Sequence, residues 1–99
     1  MTNDLTTLVE KTRPVFQKYD FRKVGIFGSR ARGDNTSTSD ADFLYSDTGT
    51  PISIFKKQEI QEELEYILGV PVDLVPDTRV ISRMRPSIKR DLKIIYERQ

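Results

Sequence analysis

Cysteine and histidine are both absent from the chain. Without cysteine there are no disulfides and no thiolate zinc sites. Without histidine there is no Ser-His-Asp or Cys-His catalysis, no paired-histidine zinc motif and no imidazole base. Long apolar runs are missing too: none approaches the roughly 20 residues that a membrane span requires. No signal peptide opens the sequence, so a cytoplasmic location without membrane attachment is expected. Any chemistry must come from carboxylates, hydroxyls, lysine, arginine, backbone amides or a bound ion.

What is present is a short, well-mixed chain. Its 99 residues, 36% hydrophobic and 31% charged, suit one domain spanning 1–99 with a single core. There are no repeats, low-complexity tracts or linkers. The net charge of +1 conceals an uneven distribution. Residues 1–33 carry a net +4, residues 34–77 a net −8 and residues 78–99 a net +5. Solvated helix faces account for such blocks, as does a basic tail directed at an acidic partner or RNA.

Periodicity gives the elements. Leu5, Leu8, Val9, Val15, Phe16 and Tyr19 predict a helix over Asp4 to Tyr19, with Pro14 expected to kink or split it. Lys23 to Phe27 is a β-favouring run, and "GSRARG" after it is expected to form one helical turn or a short helix. Asn35 to Ser39 reads as a loop, Asp40 to Tyr45 as a second strand, and "SDTGTP" as another loop. Ser53 is placed as the N-cap of a helix ending near Leu68, with Gly69 as its stop. Ile60, Leu64, Ile67 and Leu68 form its apolar face, while Glu59, Glu62, Glu63 and Glu65 read as solvated. Val70 to Val75 reads as a third strand, followed by a Pro76-Asp77 turn and a short helix near Val80 to Met84. A last helix begins at Pro86, with Ile88, Leu92 and Ile95 facing inward. This alternation implies an α/β (α+β) domain: a small mixed β-sheet of three to four strands packed with helices.

Asp40 and Asp42 stand out. Alternate strand residues share a face roughly 6.5–7 Å apart, and two carboxylates there repel unless a cation lies between them. Asp73 points away from its apolar neighbours Val72 and Leu74. If the third strand lies beside the second, three carboxylates converge, a donor set suited to magnesium or manganese. Two such ions about 3.5–4 Å apart serve in-line attack on phosphate. Ahead of these acids, Gly28 allows close backbone approach to a ligand, and a helical turn starting there favours phosphate. Ser29 adds a hydroxyl donor, Arg30 and Arg32 add positive charge, and Gly33 lets the chain turn away.

The run "GSRARG" followed by "SDADF", with a later lone aspartate, resembles the signature of the DNA polymerase beta-like nucleotidyltransferases, specifically their minimal nucleotidyltransferase (MNT) antitoxin branch. The resemblance extends from about Lys23 to Val75. It implies a palm-like fold, a single minimal nucleotidyltransferase domain over 1–99, and a magnesium-dependent protein adenylyltransferase. It implies that Asp40 and Asp42 hold two Mg2+ (or Mn2+) ions and that Asp73 completes the nucleophile-side ion. It also implies that Gly28 and Ser29, aided by Arg30 and Arg32, bind the phosphates of ATP. The expected partner is a HEPN-type ribonuclease toxin in a hetero-oligomer, which receives AMP on a hydroxyl, in the first instance tyrosine. Tyr19, Tyr45, Tyr66 and Tyr96 of this chain read as core or surface residues.

Two other readings compete. A non-catalytic antitoxin would neutralise its partner by binding alone, and a metal-dependent nuclease would use the same acids but leave Gly28-Ser29 without a task. Asp34, Asp47 and Asp77 read as turn formers. "RMRPSIKR", Arg83 to Arg90, is basic but lacks nearby aromatics for stacking, so direct nucleic-acid binding is not expected.

Overall fold

A computed structural model describes residues 5–46 and 52–98 of the chain. Helix α1 spans Leu5–Lys18 and turns Leu8, Thr12, Val15 and Phe16 inward. The helix is not split at Pro14, one of the two outcomes expected there: α1 runs continuously through it. Pro14 and Glu10, whose carbonyl the proline leaves without its usual donor, are both exposed, so that carbonyl faces the side where water can satisfy it. Asp4, the expected first residue of this helix, lies outside the described residues.

Strand β1, Lys23–Phe27, leads into the single turn α2, Ser29–Arg32. Strand β2, Ala41–Ser46, follows a loop. The segment 47–51, which includes Asp47 and most of the expected "SDTGTP" loop, lies outside the described residues. Helix α3 covers Ile54–Leu68, and the Ser53 side chain accepts a hydrogen bond from the Lys56 N–H as its N-cap. Gly69 closes it, donating its N–H to the Glu65 carbonyl. Strand β3, Val72–Pro76, precedes a 3-10 turn at Ser82–Met84, helix α4 at Arg85–Asp91 and strand β4 at Lys93–Glu97.

The four strands form one mixed sheet in the order β3-β2-β1-β4. β1 pairs antiparallel with both β2 and β4, while β2 and β3 run parallel, with α3 as their crossover. The final helix is therefore shorter than its apolar spacing suggests, and Ile95 belongs to a strand. The run Ile94-Ile95-Tyr96 is β-favouring, and as a strand it covers the otherwise open edge of β1.

One face of the sheet holds the core. Val24, Ile26, Ala41, Phe43, Tyr45, Val72 and Leu74 are buried there beneath α1 and α3. Phe16 of α1 meets Phe21 and Phe43 edge-on, with ring centroids 5.5 and 5.7 Å apart. On the opposite face the chain at Leu92 packs so tightly on β1 that a side chain at Gly25 would meet Leu92 Cδ1 at 2.5 Å. The outward edge of β3 is not left bare. The N–H groups of Val72 and Leu74 donate to Glu65 Oε2 and Gln61 Oε1 of α3, at 3.0 and 3.1 Å.

Candidate active site

Strand register decides which acids meet. Asp42 is the direct partner of Asp73 across the parallel pair β2 and β3, so the two share a face of the sheet. On its other side Asp42 is opposite Phe27, the last residue of β1. Asp40 is exposed and lies immediately ahead of β2 rather than on it, and its charge still acts on Asp42.

Gly28 follows Phe27 with φ 82° and ψ −159°, a region essentially reserved for glycine. A Cβ there would stand 2.6 Å from Asp42 Oδ2. The backbone at Gly28 and the carboxylate of Asp42 are thus in intimate contact, and Ser29 opens α2 immediately beyond.

The electrostatics match this crowding. Burial first, then the charges of Asp73 and Asp40, together push the Asp42 carboxyl up to about 6. Among the described residues none of the three acids is in an ion pair. Nor do any three acids there stand close enough together to hold a metal ion as a set, so the expected convergence of three carboxylates is not seen in this arrangement. The donor chemistry nevertheless fits a hard divalent cation: carboxylate oxygens, an excess of negative charge and one acid whose ionisation is opposed by its surroundings.

The two arginines are occupied elsewhere. Arg30 donates from Nε and Nη2 to the Ser39 carbonyl at 3.1 and 2.9 Å, pinning the loop that delivers Asp40. Arg32 pairs with Asp34 at 3.0 Å and with Asp91 of α4 at 2.7 Å.

Similarity to known proteins supplies the remaining observation. The chain matches the nucleotidyltransferase domain over residues 9–97. It belongs to the nucleotidyltransferase domain family. It is similar to protein MJ1217 of Methanocaldococcus jannaschii, 33% identical over 92 residues, covering 91% of this chain and 93% of that one. It is also similar to the protein adenylyltransferase MntA of Thermococcus cleftensis, 34% identical over 76 residues, covering 77% and 76%. Among solved structures, a toxin-antitoxin complex with AMP-PNP has the same fold at TM-score 0.77 and 19% identity, covering 92% of this chain and 74% of that one. A complex of a tri-AMPylated Shewanella oneidensis HEPN toxin with its MNT antitoxin aligns at TM-score 0.71 and 17% identity, covering 95% and 73%.

The nucleotidyltransferase carries further polar contacts between elements that spacing alone does not reveal. Asp91, only 7% exposed, accepts from Arg90 Nε at 2.9 Å and from Arg32 Nη1 at 2.7 Å. Arg90 and then Arg32 hold its carboxyl down to about 2. This clamp ties α4 to the end of α2. Asp34 serves the same clamp through Arg32. Asp77 receives the Ser46 hydroxyl and donates its backbone N–H to the Tyr45 carbonyl at 2.9 Å, a turn former as expected. The acidic face of α3 is more than solvated. Glu63 binds Lys18 at 2.8 Å and the Tyr19 hydroxyl at 2.9 Å, and Glu65 caps β3.

A cleft of about 650 Å³ opens along β3 beside Asp73. Its walls include Ile54, Lys57, Val75, Arg79, Ile81 and Met84.

Proposed function

We propose that this nucleotidyltransferase is an antitoxin that transfers AMP from ATP to a hydroxyl, in the first instance tyrosine, of a partner HEPN-type toxin. The observation that carries this reading is the register placing Phe27, Asp42 and Asp73 abreast on three adjacent strands, with the Gly28 turn against Asp42. The relatives named above support the substrate class.

In this reading Asp40, Asp42 and Asp73 hold magnesium. Asp40 would complete the set from its exposed position immediately ahead of β2. When bound, the ions supply positive charge to the reacting phosphate. The backbone at Gly28 and the Ser29 hydroxyl receive the terminal phosphates. The acceptor hydroxyl approaches from the Asp73 side, and the Asp73 carboxylate draws off its proton. The hydroxyl oxygen bonds to the α-phosphorus as the bond to the bridging oxygen of the β-phosphate breaks, and pyrophosphate leaves toward Gly28-Ser29. Arg30 and Arg32 act by holding loop and turn in place rather than by touching phosphate.

The test is incubation of the chain with α-labelled ATP, magnesium and its HEPN-type partner. Label should move to the partner, and Asp42→Asn should cut the rate by about a hundredfold or more. A partner that is fully neutralised without taking up label would replace this reading with neutralisation by binding alone.

A further inference from the structure

The acceptor must be recognised by something, and Asp73 itself lines the cleft along β3. Its apolar wall is unusually bare: Ile54 is 76% exposed and Ile81 47% exposed. Lys57 on α3 and Arg79 beyond β3 line it, and among the described residues neither is in an ion pair. Two uncompensated cations beside exposed aliphatic side chains complement a ligand that is both anionic and apolar.

The direction of approach is fixed by topology. Across the sheet the order is the Gly28 turn after β1, then Asp42, then Asp73, then the cleft. With strands roughly 4.8 Å apart, the Gly28 turn lies on the β1 side of the two paired acids, while the cleft, which also takes in Tyr45 of β2, runs along the edge strand β3. An in-line displacement needs its attacking and leaving oxygens opposed, so the side away from Gly28 belongs to the acceptor.

We infer that this cleft seats an acidic, partly apolar segment of the acceptor protein, with Lys57 and Arg79 pairing its carboxylates and Ile54 and Ile81 covering its aliphatic side chains. From Asp73 to Pro76 the strand spans roughly 10 Å. The acids recognised therefore stand a few residues from the hydroxyl-bearing one. This inference rests on the transfer reading for the identity of the occupant, but its test does not require transfer.

Two fluorescein-labelled peptides serve as probes, each with a central tyrosine and flanking leucines, one carrying glutamates and the other lysines three and four positions away. Binding to the full chain is followed by anisotropy without ATP. The acidic peptide should bind at least tenfold more tightly, with an affinity that falls as salt rises. The exchange K57E with R79E should abolish or reverse that preference, and Ile81→Asp should weaken both peptides. All three side chains are at least partly exposed, so unchanged melting curves will show that the variants fold. Equal binding of the two peptides, or a preference that survives the charge exchange, overturns the inference. So does tighter binding of a labelled oligoribonucleotide lost in the same variant, or a weakened affinity for a non-hydrolysable ATP analogue in that variant, since either gives the cleft another occupant. Selective peptide binding without AMP transfer would leave the docking surface standing and remove the transfer reading instead.

Discussion

At the scale of single residues the site turns on the contact between Gly28 and Asp42. Any side chain at position 28 meets two penalties. The backbone there, φ 82° and ψ −159°, costs a non-glycine residue about 1–3 kcal/mol. A new Cβ would also stand 2.6 Å from Asp42 Oδ2 and drive that carboxylate off its position. Gly28→Ala should therefore lower stability by about 1–3 kcal/mol and depress AMP transfer more than that loss explains. Thermal melts alongside transfer rates at a temperature where the variant is fully folded will separate the two effects. A variant that keeps full activity would show that Asp42 need not stay where it is. The pairing of Asp42 with Asp73 and the glycine at the end of β1 were legible in the sequence, since strand alternation and glycine placement are local signals, whereas the position of Asp40 ahead of β2 was not. Nor was the engagement of Arg30 and Arg32. A guanidinium reads the same whether it faces phosphate or a carbonyl, and its partners Ser39 and Asp91 lie 9 and 59 positions away.

Among the elements, β3 shows how a helix can make an edge strand usable. Asp73 lies between Val72 and Leu74, whose N–H groups are anchored to Glu65 and Gln61. Sequence periodicity placed α3, its N-cap and its stop, since a 3.6-residue pattern bounded by serine and glycine is a strong local signal. It could not show that two polar residues of that helix turn back to the strand, because such bonds depend on the crossover. The same limit hid β4: a helix-like apolar spacing and β-branched residues compete, and the open edge of β1 decides between them. It also hid the continuity of α1, since a proline on the wet side of a helix reads like one that breaks it. Gln61→Ala should leave the Leu74 N–H without its partner and cost about 1 kcal/mol, a fall of several degrees in Tm for a domain of this size. Transfer should fall as well, because the strand holding Asp73 loses an anchor. Unchanged melting would mean that water replaces the glutamine without cost.

For the whole molecule, two buried or half-buried acids are displaced in opposite directions, and together they shape stability against pH. Asp42 is pushed up to about 6, above its unfolded value near 4. The native state then holds that proton more tightly than the unfolded chain, so stability declines as pH rises from about 4 to about 6 and the cost is complete above that. For a half-exposed carboxyl, screening reduces this to about 1 kcal/mol. Asp91 is held down to about 2 by Arg90 and Arg32, and Glu63 is lowered chiefly by its hydrogen bond from Lys18. Their contributions are fully present above the unfolded carboxyl range and are lost as pH falls through the folded values. In the absence of divalent ions the protein should thus be most stable near pH 5. Melts from pH 2 to 8 should show the maximum. Asp42→Asn should flatten the decline on its alkaline side, and Asp91→Asn should remove stability above pH 4 while leaving little difference near pH 2. Added magnesium should raise the Tm of the parent protein mainly above pH 6, where Asp42 is ionised, and should do less for Asp42→Asn. An alkaline flank that is the same in the parent and in Asp42→Asn would mean that the crowding of acids beside Gly28 imposes no strain, and with it would go the electrostatic reason for placing a cation there.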